Sequence, residues 1–237
     1  MIDEPLSSFT TRLIARVGGQ LESITFYPHP FTGGGLVIVP GDEVAFIPDL
    51  IAEIYECNPP PVMFHCLRRS ELFELSLVGV FGWPNPLEEK PHLVFWLKHA
   101  GIVLHGRDIR DEIKLPADTS GFFENHTQRC KQFVRNWAID QLRRKNYQGM
   151  IKELERQARY LMATALLSKN EWNVSLETIP DRFDSLFKNG QANQVWANMA
   201  ALARQTEEMD ENISRQSAFE ALWLFEQFLL KTGEYTR

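Results

Sequence analysis

The stretch from Leu21 to Val39 constrains this chain more than any other. It reads Leu-Glu-Ser-Ile-Thr-Phe-Tyr, then Pro-His-Pro-Phe-Thr-Gly-Gly-Gly, then Leu-Val-Ile-Val. β-Branched and aromatic side chains favour a pleated backbone, and Pro and Gly interrupt it, so the pattern predicts two antiparallel strands joined by a loop. Such a hairpin cannot bury its apolar faces alone and needs further elements around it.

The flanking sequence supplies them. Phe9, Leu13, Ile14 and Val17 recur at helical spacing, predicting an opening helix over Ser8 to Val17, capped by Ser7 or Ser8 and stopped by Gly18-Gly19. After Pro40-Gly41, Val44, Ile47, Leu50, Ile51, Ile54 and Tyr55 share one helical face, and Asn58-Pro59-Pro60-Pro61 ends that helix. Val62 to Leu67 is then a third strand, reached by a crossover within one sheet. Ser70 to Leu77 is a short helix with an imperfect capping pattern, Gly79 to Pro86 a loop holding Trp83, and Leu87 to His99 a helix leading into Gly101-Ile-Val-Leu-His-Gly-Arg-Asp-Ile109.

Between Leu115 and Gly121 the apolar content falls away, which marks a domain boundary. Beyond it the pattern is helical throughout. Cys130, Phe133, Val134, Trp137 and Ala138 form one amphipathic set; Tyr147, Met150, Ile151, Leu154, Ala158, Leu161, Met162 and Ala165 a second; Val195, Met199 and Leu202 a third; Phe219, Leu222, Phe225, Phe228 and Leu229 a fourth. Four such helices pack as an antiparallel bundle. A shorter helix near Asp181 to Lys188 follows Thr178 and Pro180 and closes at Asn189-Gly190. The tryptophans, including Trp137, Trp172, Trp196 and Trp223, are assigned to bundle packing.

Gly101 to Ile109 resembles the Gly-Val-Val-Leu-Tyr-Gly-Arg-Asp-Leu strand of aminoglycoside-adenylyltransferase-like proteins in the nucleotidyltransferase superfamily, with His105 where the family has Tyr. The layout of a small α/β domain followed by a helical bundle is similar too. The resemblance implies an α+β N-terminal domain with a small mixed sheet over residues 1–115 and an all-α bundle over 122–237, with substrates between them. It also implies a first strand ending in a Gly-Ser turn that holds a triphosphate, and a second beginning with Asp-x-Asp, whose carboxylates hold Mg²⁺. Here the turn reads Tyr27, Pro28, His29, and the carboxylate positions fall on Gly33 and Gly35. The third family carboxylate belongs on the next strand, Val62 to Leu67, which contains no acid.

Those substitutions define the functional expectation: a catalytically degenerate nucleotidyltransferase-like protein with no catalytic residues, no cofactor and no metal, in a binding, regulatory or assembly role. The alternatives are an active nucleotidyltransferase recruiting Asp42, Glu43 or Asp49, and a small-molecule binder in the interdomain cleft. His29, Thr32, Gly33, Gly34 and Gly35 are the candidate ligand-binding residues, since glycines let a backbone approach a phosphate; the competing reading of the glycines, a flexible connection between antiparallel strands, is preferred. A P-loop is excluded: no helix start and no Lys-Ser/Thr pair follows the glycines. A soft metal site from His29, His65 and Cys66 is set against packed strand residues, and the packed reading is preferred. Arg143, Arg144 and Lys145, with Lys152, Arg156 and Arg159 on the next helix, are a candidate anion patch; the competing reading is a solvated face balanced by Glu153 and Glu155.

Charge and cysteines bound the partners. The net charge of −6 resides in the first half: Met1 to Leu115 holds nine basic against fifteen acidic residues, and the remainder sixteen of each. An acidic half is a poor electrostatic partner for nucleic acid, so the expected partner is a small molecule or a protein, including a second copy of the chain. Cys57, Cys66 and Cys130 lack Cys-x-x-Cys spacing, which argues for reduced core thiols. The acidic Met-Ile-Asp-Glu-Pro start and the absence of a long apolar run argue for a cytoplasmic protein with no membrane partner.

Overall fold

The computed structural model describes residues 4–17, 21–27, 34–39, 51–53, 55–57, 63–68, 91–113, 115, 118–175, 177–188 and 190–233. The chain divides into two compact units, Met1–Ala117 and Asp118–Arg237. The first combines helices with a mixed sheet and the second is helical. No helix among the described residues is long and apolar enough to cross a membrane.

The first unit opens with α1 (Glu4–Val17), longer than the predicted Ser8 to Val17. Glu4 and Pro5 explain the early start: proline suits the first turn, where its missing N–H costs nothing, and a carboxylate there opposes the helix dipole favourably. Ser7 and Ser8 therefore lie within the helix. β1 (Ser23–Tyr27) pairs antiparallel with β2 (Gly34–Val39), and β2 runs parallel to β3 (Met63–Arg68). A parallel neighbour requires the crossover that the apolar pattern between β2 and β3 suggested. α2 (Pro91–Ala100) leads into β4 (Ile102–Gly106), which pairs antiparallel with the other edge of β1. The strand order is β3-β2-β1-β4, a mixed sheet of four.

β1 is covered on both faces: Ser23, Ile24, Thr25 and Tyr27 are buried and Phe26 is half-buried. Phe9, Leu13, Leu21, Ile24 and Cys57 form a buried cluster against which Ile14, Val17 and Leu104 pack. Full burial of side chains of this kind contributes about 1.5–3 kcal/mol each. Cys57 belongs to residues 51–53 and 55–57, where helical backbone is present and Cys57 N–H donates to Glu53 O at 2.9 Å. Ile51 and Tyr55, assigned to the buried face of that helix, are instead 54% and 82% exposed. The described residues of this segment meet the unit through buried Cys57 and through Arg16. Arg16 Nη1 lies 2.7 Å from Glu53 and 2.9 Å from Glu56. The predicted helix over Ser70 to Leu77 and the Trp83 loop lie outside the described residues.

The second unit contains α3 (Phe122–Arg143), α4 (Tyr147–Leu167), α5 (Ile179–Phe187), α6 (Gly190–Gln205) and α7 (Glu211–Gly233). α4 packs against all four others. Met150, Ile151, Leu154, Ala158, Leu161, Met162, Ala165 and Leu166 line one broad face and are all buried, and Tyr160, Thr164 and Leu167 are buried on the opposite side of its C-terminal half, so that half is enclosed all round. Cys130, Val134 and Ala138 of α3 and Phe225, Phe228 and Leu229 of α7 are buried as their spacing predicts. Phe219 and Trp223, assigned to the same packing, are not: they are 49% and 61% exposed.

α5 ends one residue earlier than its sequence suggested. The left-handed position that terminates it is Lys188 (φ 50°), while Gly190 opens α6. A non-glycine residue there stores strain that glycine would relieve. Lys188 is exposed, so Lys188→Gly should raise stability by about 0.5–1 kcal/mol; a thermal midpoint equal to or below that of the parent would contradict this.

Candidate functional site

Antiparallel register sets Gly34 opposite Tyr27 and Gly35 opposite Phe26, and the parallel register on the other side sets them beside Met63 and Phe64. These two glycines are thus strand residues, not loop residues as their composition suggested. Glycine has little intrinsic preference for a strand, but β1 and β3 hydrogen-bond β2 on both edges and override it. His29, Thr32 and Gly33, and the acids Asp42, Glu43 and Asp49, lie outside the described residues. His65 and Cys66 occupy consecutive positions of β3, beside Leu36 and Val37.

The four strands read SITFY, GGLVIV, MFHCLR and IVLHG and contain no Asp or Glu. A hard cation such as Mg²⁺ takes oxygen ligands, carboxylates foremost, so the residues of this sheet do not fit a carboxylate-held Mg²⁺. Among the described residues no group of three His, Cys, Asp or Glu side chains could hold a metal ion. Besides the buried Tyr27, β1 carries the hydroxyls of Ser23 and Thr25, both fully buried and 3.1 Å apart. They satisfy one another beneath Gly101, where an added Cβ would stand 3.3 Å from Thr25 Cγ2.

The segment carrying the family resemblance is built as a brace. Gly106 has φ +73°, and an added Cβ would collide with the Glu22 carbonyl, 2.9 Å from its carbon. The next N–H, that of Arg107, donates to Glu22 O at 2.9 Å. Arg107 then pairs with Glu112 at 2.6 Å and lies 3.6 Å from Glu22. Arg110 grips Asp108 through Nε at 2.8 Å and Nη2 at 2.5 Å, and its Nη1 donates to Gly101 O at 2.6 Å. These charge-assisted bonds hold the Asp108 carboxyl at about 2, well below the usual carboxylate range. Lys98 Nζ donates to the carbonyls of Arg110 and Ile113. Lys98, Arg107, Asp108, Arg110 and Glu112 are each engaged within the unit, so their chemistry is positional: they fix the return from β4.

The candidate anion patch is similarly engaged. Arg144 pairs with Asp140 at 2.8 Å and Lys145 with Glu211 at 3.1 Å; Arg143 is exposed at the last turn of α3. On α4, Lys152 meets Glu207, Arg156 meets Glu153, and Arg159 meets Glu155. The balancing acids include Glu207 and Glu211, distant in sequence, as well as Glu153 and Glu155. A face laced in this way has little unpaired positive charge for an anion.

One polar site went unforeseen. Glu155 is buried on α4 and its Oε1 accepts from Arg159 Nε at 2.9 Å and from Trp196 Nε1 at 3.0 Å. The Arg159 guanidinium lies over the Trp196 ring, 5.8 Å from its centroid. Glu177, Ala200, Ala203 and Arg204 complete the lining of an open depression of about 330 Å³. Glu155 and Arg159 at i, i+4 read as an ordinary surface pair; the signal for burial was Trp196, an indole that needs an acceptor when it packs.

No family model matches the chain, and no curated protein matches it.

Proposed function

We propose that this chain is a catalytically degenerate nucleotidyltransferase-like protein that acts by binding, in a regulatory or assembly role. The observation that carries the reading is the register of β2: Gly35, where the resemblance calls for a metal-binding carboxylate, sits between Phe26 and Phe64. A glycine side chain ligates nothing, and no acid elsewhere in the four strands replaces it. Further support comes from a small mixed sheet preceding a separate helical unit, the layout the resemblance implies. A fold of this kind hosts many functions, so the altered site is what argues against nucleotidyl transfer. Buried, unbridged Cys57 and Cys130 accord with a cytoplasmic setting.

Calorimetry with ATP, GTP, CTP and UTP in the presence of Mg²⁺ tests the proposal. The expected result is no Mg²⁺-dependent binding in the micromolar range and no turnover. Micromolar, Mg²⁺-dependent binding of any of the four overturns the proposal in favour of an active enzyme that draws its carboxylates from outside the sheet.

A further inference from the structure

α7 buries one face in its unit and leaves another, strongly apolar face uncovered. Ala218, Ala221, Leu224, Phe225, Phe228 and Leu229 are buried, whereas Phe219, Trp223 and Leu230 are 49%, 61% and 58% exposed. The latter three are spaced by four and seven residues, so they form one stripe along the helix. Glu226 lies within that stripe and receives Arg135 of α3 through Nε and Nη2, both at 2.8 Å. A second tie, Lys145 to Glu211, shows that α3 and α7 run antiparallel. Ile139, one turn beyond Arg135, therefore stands at the level of Phe219 and Trp223, and it is 50% exposed. Isolated exposed apolar residues are ordinary; four large ones grouped on two adjacent helices around a forked ion pair are not.

We infer that this α3–α7 face is a docking surface for a second copy of the chain, which packs α7 against α7 about a two-fold axis with Trp223 near its centre. Two observations select that occupant. The first is charge. The unit Asp118–Arg237 carries sixteen basic and sixteen acidic residues, and the only ion pair set in the stripe among the described residues is the matched Arg135–Glu226 fork. A face with no net charge does not repel its own copy, and it offers no field to recruit a strongly basic or acidic partner. The second is area. Half-exposed side chains of these sizes present about 100 Å² each, hence about 400 Å² of apolar surface per copy. Two copies supply about 800 Å², and at the roughly 65% apolar share of homodimer interfaces this corresponds to about 1,200 Å² in all, the lower bound for a specific interface. Self-association through the same patch on both copies closes the assembly at two.

Sedimentation velocity of the full chain from about 1 to 100 μM tests the inference, at the concentrations where an interface of this size operates. The expected result is a monomer–dimer equilibrium whose dissociation constant weakens by about 30-fold or more in Trp223→Glu and in Leu230→Glu, each with the circular dichroism of the parent. Leu186→Glu, which alters an exposed leucine on α5, should leave the equilibrium unchanged. A parent that stays monomeric at the highest concentration overturns the inference and passes the face to a different macromolecule. A dimer that persists in both α7 variants overturns it as well, by placing the interface elsewhere.

Discussion

Gly106→Val is expected to lower the stability of the N-terminal unit by about 3 kcal/mol or more. Two costs combine. A β-branched residue at φ +73° is strained by at least 1–2 kcal/mol. Its Cβ would also overlap the Glu22 carbonyl, which cannot retreat without breaking the Arg107 N–H to Glu22 bond. That bond ties the end of β4 to the start of β1, so the damage spreads to the β1–β4 pairing, where Gly106 stands opposite Ser23. For a unit of this size each kcal/mol moves the thermal midpoint by roughly 4–8 °C. Differential scanning calorimetry should show the fall confined to the transition of the N-terminal unit; an unaltered thermogram would mean that the turn is not a structural constraint.

The second large effect belongs to the bundle. Arg159→Ala should cost about 2–4 kcal/mol, because among the described residues it leaves the buried Glu155 carboxylate with the Trp196 N–H, at 3.0 Å, as its remaining hydrogen-bond donor. The loss of Arg159 also uncovers the Trp196 ring. The double change Glu155→Met with Arg159→Met should be milder than Arg159→Ala, since a buried ion pair replaced by apolar groups of similar volume costs little, while the indole N–H left without its acceptor adds about 1 kcal/mol. Denaturant melts of the single and double variants measure both. A double variant less stable than the single would show that the carboxylate contributes by more than its pairing with Arg159.

Both effects concern residues whose roles the sequence concealed to different degrees. The β1–β2 pairing and the parallel β3 were legible, because β-branched runs and Pro–Gly breaks act over a few residues and a crossover follows from length. The buried face of α4 was legible in its apolar spacing, but its central position was not, since the burial of Tyr160, Thr164 and Leu167 on its other side comes from helices that meet it from elsewhere in the chain. The exposure of Phe219 and Trp223 was not: helical spacing shows that apolar residues share faces, but it cannot say which face meets the core of the same unit. The burial of Glu155 was hidden because an i, i+4 Glu–Arg pair looks the same on a solvated surface and beside an indole. The engagement of Lys145 with Glu211 and of Lys152 with Glu207 depends on helices brought together from far along the chain, which no local pattern records. At the candidate site the strand character of Gly34 and Gly35 was hidden, because glycine composition reads as loop and only the pairing of β2 with β1 and β3 sets Gly35 beside Phe26 and Phe64.

The placement of β4 also bears on how the chain comes into being. β1 ends at Tyr27, yet the strand that covers its second edge begins at Ile102. During synthesis β1 therefore emerges from the ribosome long before its partner, and its backbone donors and acceptors on that side wait, unpaired, for the segment that follows α2. Such an open edge is a template for any passing strand, and pairing so distant in sequence is slow to form. The helices of the bundle close their backbone hydrogen bonds within themselves, so none of them waits with an open edge, although α7 meets α3 and α4 only once the end of the chain is made. Nascent chains that stop short of Gly106 are thus the ones most exposed to mispairing, and their protection falls to whatever meets them at the exit tunnel.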